Sequence, residues 1–231
     1  MLIPSDRHTK EDLLLWDEYE AADREHLVDL SRAVEIVKEF ANQPCYCSVS
    51  WGKDSVVIAA IVATEAPHIP LVWVRPDGAE CPGCDEVRDM FLRRYDINYY
   101  EPFCPASIWN DPKVSNAIAF KPAVDATGTS RRIVGVRANE SGSRKLSMRI
   151  HGIVTEQVCR PIGWMTEQDV FAIHAQAGLP THPNYAMLGG GRWQRATIRV
   201  DSLGGAWGGG IGRREWEQEY YGDVLARMQV R

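Results

Sequence analysis

Between residues 11 and 40 apolar side chains fall at helical spacing among charges: Leu13, Leu14, Leu27, Val28, Leu30, Val34, Ile36 and Val37. The pattern predicts helix. Glu11-Asp12 suits its N-terminal end, and Asn42-Gln43-Pro44 its stop. The rhythm then changes. Residues 45–49 form a short apolar run that predicts a buried strand, residues 50–53 a tight turn, and residues 54–66 a helix closed by Pro67. Further strands are predicted at 71–74, 97–100 and 133–136, and helices at 84–95, 166–177 and 213–228. Thr166 is the N-cap and Gly178 the stop of the second of these helices. Strands alternating with helices imply a doubly wound, mainly parallel α/β sheet covered on both faces. The expected organisation is an N-terminal helical arm (1–43), an α/β domain (44–188) and a glycine-rich segment with a C-terminal helix (189–231).

The 231 residues suffice for one full hydrophobic core. No apolar run is long enough for a membrane span, and the N-terminus lacks the regions of a signal peptide, so a cytoplasmic protein is expected. Six cysteines at 45, 47, 81, 84, 104 and 159 are then thiols, ligands or redox residues rather than a disulfide framework. The net charge of −5 is uneven: residues 1–40 carry eleven acids and five bases, residues 121–150 seven bases and two acids. A basic block in an acidic chain suits a compact anionic ligand better than nucleic acid, which is not indicated.

The candidate chemistry sits at the first strand-to-helix turn, Ser50-Trp51-Gly52-Lys53-Asp54-Ser55. The first turn of a helix has amides without partners, and its dipole favours an anion. Gly52 allows close backbone approach, Lys53 adds charge, and Ser50 and Ser55 add hydroxyls. Trp51 is placed either to stack on a base or to pack in a wall. The turn is neither a Walker A loop nor a dinucleotide fingerprint, because the glycines those motifs need are missing.

It resembles the PP-loop, S-G-G-x-D-S, of the adenine-nucleotide alpha-hydrolase (N-type ATP pyrophosphatase) superfamily, with Trp51 in place of the first glycine. Asp77 and Gly78 stand where phosphoadenylyl-sulfate (PAPS) reductases carry an Asp-Thr-Gly turn. The run Gly135-Val136-Arg137-Ala138-Asn139-Glu140-Ser141-Gly142-Ser143-Arg144 resembles the G-[IV]-R-x-x-E-S-x-x-R segment of PAPS reductase-like proteins. Residues 160–171 and Leu179-Pro180-Thr181-His182-Pro183-Asn184-Tyr185 resemble later segments of that family and read as mostly structural. The resemblance spans residues 45–190, with its motifs in order. It implies a PP-loop domain binding ATP or PAPS, with Mg²⁺. Ser50–Ser55, Asp77, Gly78, Gly135, Arg137, Glu140, Ser141 and Arg144 would bind the nucleotide, and Lys53, Arg137 and Arg144 would stabilise charge in the reaction.

The family's C-terminal tail cysteine has no counterpart after Cys159. Reduction of PAPS through that thiol is therefore not expected, nor is an iron–sulfur cluster or zinc. Cys81-Pro82-Gly83-Cys84 offers a C-x-x-C at a helix start, where thiolate is favoured, and is open to redox, sulfur-accepting, metal-ligating or structural roles. Cys45 and Cys47 read as packed residues, and His174 and His182 as packing or cap residues. Three functions follow: adenylation of an acceptor in sulfur transfer, with pyrophosphate release; PAPS reduction through Cys81 and Cys84; or nucleotide binding without turnover. A thioredoxin-like or sulfur-donor partner and a homodimer fit the first two.

Overall fold

The computed structural model describes residues 1–231 except 77–80, 110, 112, 201, 205–212 and 230–231. Asp77 and Gly78 thus lie outside the described residues. The chain begins with α1 (Lys10–Glu25) and α2 (Ser31–Phe40), followed by β1 (Tyr46–Ser48), α3 (Lys53–Glu65), β2 (Leu71–Val72), β3 (Arg75–Pro76) and α4 (Cys84–Arg94). Next come β4 (Tyr99–Tyr100), β5 (Phe103–Cys104), the short α5 (Ala106–Trp109) and α6 (Asn116–Ala119), and α7 (Lys121–Thr127). β6 (Arg132–Val134), α8 (Gly142–His151), β7 (Val158–Cys159), α9 (Glu167–Ala177) and α10 (Arg213–Gln229) complete it.

Five strands form one parallel sheet in the order β4-β2-β1-β6-β7, and β3 pairs with β5 beside it, also in parallel. The fold class expected from the alternation is the one observed. Strand order reverses at β1, whose neighbours are β2 and β6, so the crevice for a ligand opens beyond its carboxyl end. Register sorts the two faces. Cys47, Leu71, Ile133 and Cys159 lie in register and are wholly buried in the larger core. Tyr46 and Val72, on the other face, join a smaller cluster with Val74, Cys104 and Ala123.

Three expectations need correction. The helix read over 11–40 is two helices. Residue His26 closes α1 in an extended conformation, and the Asp29 carboxylate accepts the Ser31 amide at the start of α2. The strand read over 71–74 ends at Val72; after Trp73 and Val74 the chain resumes pairing as β3, with β5. The two-residue β5 and β7 went unread. Thr166 and Gly178 do cap α9 as expected, the threonine through a capping box and the glycine in the left-handed region.

The arm packs on its own chain. The Trp16 ring meets Phe171 of α9 edge-on at 6.0 Å. Buried Asp12 accepts the Leu188 amide at 2.9 Å and the Tyr220 hydroxyl at 2.8 Å, tying the arm to the glycine-rich segment and α10. No described helix is long and apolar enough to cross a membrane.

Candidate functional site

A cavity of about 330 Å³ opens at the carboxyl end of β1, a size suited to a small-molecule ligand. Its floor is the Ser50–Ser55 turn. Gly52 caps α3 in an extended conformation, and the amides of Gly52, Asp54 and Ser55 have no acceptor among the described residues. The Lys53 amide donates to the Tyr185 hydroxyl at 3.1 Å. The Ser55 hydroxyl accepts the Ser50 amide and donates to the Gly52 carbonyl at 2.9 Å, so it holds the turn closed on itself. Gly135 crosses directly over this turn. A Cβ there would stand 2.7 Å from the Asp54 carbonyl carbon, and only glycine permits that approach.

Charge beneath the turn is already matched. The Asp54 carboxylate accepts Lys53 Nζ at 2.9 Å and Arg137 Nε. Burial alone would raise the Asp54 pKa; the two cations outweigh it and hold the carboxyl below its usual range. Lys53 is 5% exposed, with its ammonium 5.2 Å from the centre of the Tyr185 ring. Arg137 is 3% exposed and is not on the cavity wall. The sequence reading put its guanidinium on the ligand; in this structure the guanidinium donates to the Asp54 carboxylate and to the Met165 carbonyl. Its backbone amide donates to Glu140 Oε2 at 2.9 Å.

Trp51 takes the packing alternative. Its side chain is fully buried against Trp73, Phe91 and Tyr99, its backbone φ is +59°, and it does not line the cavity. A bulky residue rarely adopts that conformation; here the buried indole compensates. Ser141 also stays off the wall, since its hydroxyl caps α8 by accepting the Arg144 amide at 3.2 Å. Glu140 and Arg144 do line the cavity, as an ion pair.

Cys81 and Cys84 also line the cavity, with the Cys84 sulfur 3.9 Å from the Ser50 carbonyl oxygen. Asn184 Nδ2 donates to the Cys81 sulfur at 3.0 Å, and His182 Nε2 is 3.7 Å from the Cys84 sulfur. His182 Nδ1 accepts the Asn184 amide at 3.2 Å, which leaves the imidazole proton on Nε2, beside the Pro82 carbonyl and the Cys84 sulfur. Burial pushes the His182 pKa down to about 3, so the ring is neutral.

Several wall residues escaped the sequence reading. Trp73, Trp109 and Phe120 form an apolar side. Tyr185 was read as structural, and Arg199 lies in an irregular segment with no periodicity to mark it; its guanidinium donates to the Glu140 carbonyl at 3.1 Å. The described residues contain no group of three or more His, Cys, Asp or Glu placed to hold a metal ion. Asp54 and Glu140, the described carboxylates of the wall, already pair with cations.

The sequence matches no family model, and none of the curated proteins matches it. Among solved structures it is similar to a phosphate complex of phosphoadenylyl-sulfate (PAPS) reductase from Candida auris, with a TM-score of 0.52 and 11% identity over 81% of this chain and 93% of that one. The chain has the α/β fold of that reductase.

Proposed function

We propose that this protein is an enzyme that binds an adenine nucleotide, ATP or PAPS, with its phosphates on the Ser50–Ser55 turn. The observation that carries the reading is the set of three amides without acceptors, at a helix N-terminus, on the floor of the cavity. Such amides with a helix dipole behind them form an anion cradle. Arg144 and Arg199 add positive charge at the wall, and the Trp73, Trp109 and Phe120 side suits a flat base. The favoured reaction is attack by an acceptor on the α-phosphorus of ATP, yielding an adenylated acceptor and pyrophosphate in sulfur transfer. The protein would contribute mainly positioning and charge stabilisation.

A second reading is supported by the two thiols in the same wall. With PAPS bound, Cys81 and Cys84 would supply two electrons, releasing sulfite and adenosine 3′,5′-bisphosphate and leaving a disulfide. A thioredoxin-like protein would then restore the thiols.

Calorimetric titration of ATP and PAPS into wild type and Lys53→Ala tests the shared premise. Removing Lys53 leaves Asp54 with one cation instead of two and should weaken both nucleotides. Unchanged affinity for both would remove the turn from consideration. Pyrophosphate release from ATP separates the first reaction from the second, which predicts sulfite release lost in Cys84→Ser. Binding with neither product would leave a nucleotide-binding protein without turnover.

A further inference from the structure

A second cleft, of about 480 Å³, adjoins the first and shares Phe120, Val134, Val136 and Arg144 with it. Its floor follows from strand register. Arg132 stands opposite Val158, and Ile133 opposite Cys159. Side chains alternate along a strand, so Arg132, Val134, Val158 and Arg160 rise from one face while Ile133 and Cys159 enter the core below. Helix α8 supplies the roof with Ser143 and Ser147, four residues apart and hence on one helix face.

The two arginines on this floor are half-buried, and they differ from the buried arginines elsewhere in what they meet. Arg137 meets Asp54, and Arg195 meets Asp23 at 2.6 Å. Neither Arg132 nor Arg160 has a carboxylate within ion-pair distance among the described residues. Arg160 Nη1 is buried with no hydrogen-bond partner. The Arg132 guanidinium lies over the Phe120 ring at 4.9 Å. Burial first, and then the charge of Arg132, lower the Arg160 pKa below its ordinary value, so the pair lie close enough to repel. A guanidinium nitrogen desolvated without an acceptor, as at Arg160, is costly, and an oxyanion between the two arginines would satisfy it and relieve their repulsion.

We propose that this cleft is a second ligand site, for a small acid whose carboxylate or phosphate sits between Arg132 and Arg160 and whose apolar body rests on Val134, Val158 and Met148. Its continuity with the first cavity makes this acid the acceptor of the nucleotide reaction; that assignment rests on the nucleotide reading, whereas the anion site does not. The pocket-like shape of the cleft, roofed by one helix face, fits a small molecule rather than a polymer backbone.

Amide NMR titration with phenyl phosphate tests it, with benzoate as the singly charged probe and phenol as the neutral one. Phenyl phosphate and benzoate should move the amides of Arg132, Val134, Ser143 and Ser147, in addition to any response of the Ser50–Ser55 turn to the phosphate; phenol should not bind. The Arg132→Gln/Arg160→Gln variant should bind phenyl phosphate at least about tenfold more weakly. Shifts confined to the Ser50–Ser55 turn, equal binding of phenol, or unchanged affinity in the double variant would each overturn the site. The phenol comparison and the salt dependence of phenyl phosphate binding decide the matter on wild type alone if the variant does not fold. ATP titrated into the same sample reports separately on Gly52 and Ser55: if those amides stay still while the cleft responds, the nucleotide reading falls and the anion site stands.

Discussion

The Arg137 guanidinium binds the Asp54 carboxylate at the phosphate turn and is itself not part of the cavity wall. The pair joins the first turn of α3 to the segment after β6, the two pieces of chain that flank the crevice. Both partners are largely withdrawn from water, so the bond fixes geometry more than it supplies charge to a ligand.

Replacing Arg137 should therefore damage the fold before it damages binding. Arg137→Ala leaves a buried carboxylate with Lys53 alone, a change of the kind that costs about 3 kcal/mol or more. Arg144→Ala removes an ion pair that is 40% exposed on the arginine side, and should change stability by no more than about 1 kcal/mol. Urea unfolding of the two variants measures the contrast. Equal stability losses would mean that the burial of Arg137 is not what matters.

Gly135→Ala should be destabilising although glycine-to-alanine is usually mild. The added methyl carbon would lie 2.7 and 2.8 Å from the Asp54 carbonyl carbon and oxygen, which are backbone atoms and cannot swing aside. Overpacking of this kind costs about 1–3 kcal/mol, and relief by moving the turn would displace the Gly52 and Asp54 amides. Unfolding should show the loss, and nucleotide titration a weaker ligand. A variant as stable and as tightly binding as wild type would show that the crossing is looser than drawn.

Much of this was legible in the sequence because local chemistry decides it. A strand run, a glycine and a lysine at 46–53 leave few alternatives to a strand-turn-helix, and Thr166 and Gly178 mark α9 through caps that act within one turn. The direction of a long side chain is another matter. Nothing local says whether Arg137 turns up to a ligand or down to Asp54, since its partner is 83 residues away. Trp51 is similar: its neighbours Trp73, Phe91 and Tyr99 come from the β2–β3 link, α4 and β4. Arg199 and β7 were missed because a two-residue strand and an irregular segment carry no period to detect.

Thiol labelling should distinguish the cavity wall from the core. Cys45 and Cys159 lie under the sheet, and burial lifts their pKa values to about 11 and about 12, so little thiolate forms at pH 8. Cys81 and Cys84 line the cavity beside donors to sulfur. Iodoacetamide should modify Cys81 or Cys84 first, and ATP should slow it, as followed by mass spectrometry of digests. Modification of Cys45 or Cys159 at the same rate would contradict the placement.

Stability should fall steeply as pH drops below neutrality, and two buried histidines set the window. His174 donates from Nε2 to the Lys53 carbonyl at 2.9 Å and pairs through Nδ1 with the Thr181 hydroxyl at 2.9 Å, an arrangement made for the neutral ring. Burial lowers its pKa from an ordinary 6.5 to about 4, and that of His182 to about 3. Below pH 6.5 the unfolded chain takes up protons that the folded chain refuses, so each ring costs about 1.4 kcal/mol of stability per pH unit down to its folded value. Above pH 6.5 both rings are neutral in both states and contribute no slope. The buried carboxylates with lowered pKa values, Asp12 and Asp54, have an ordinary value of 3.8 and act only at lower pH. Between pH 7.5 and 5.0 each histidine should thus remove about 2 kcal/mol. Urea unfolding at the two pH values should show a loss of about 4 kcal/mol in wild type and roughly half of it in His174→Asn or His182→Asn. The same pH dependence in wild type and both variants would mean that neither ring is held neutral, and the brace between α9 and the first turn of α3 would have to be redrawn.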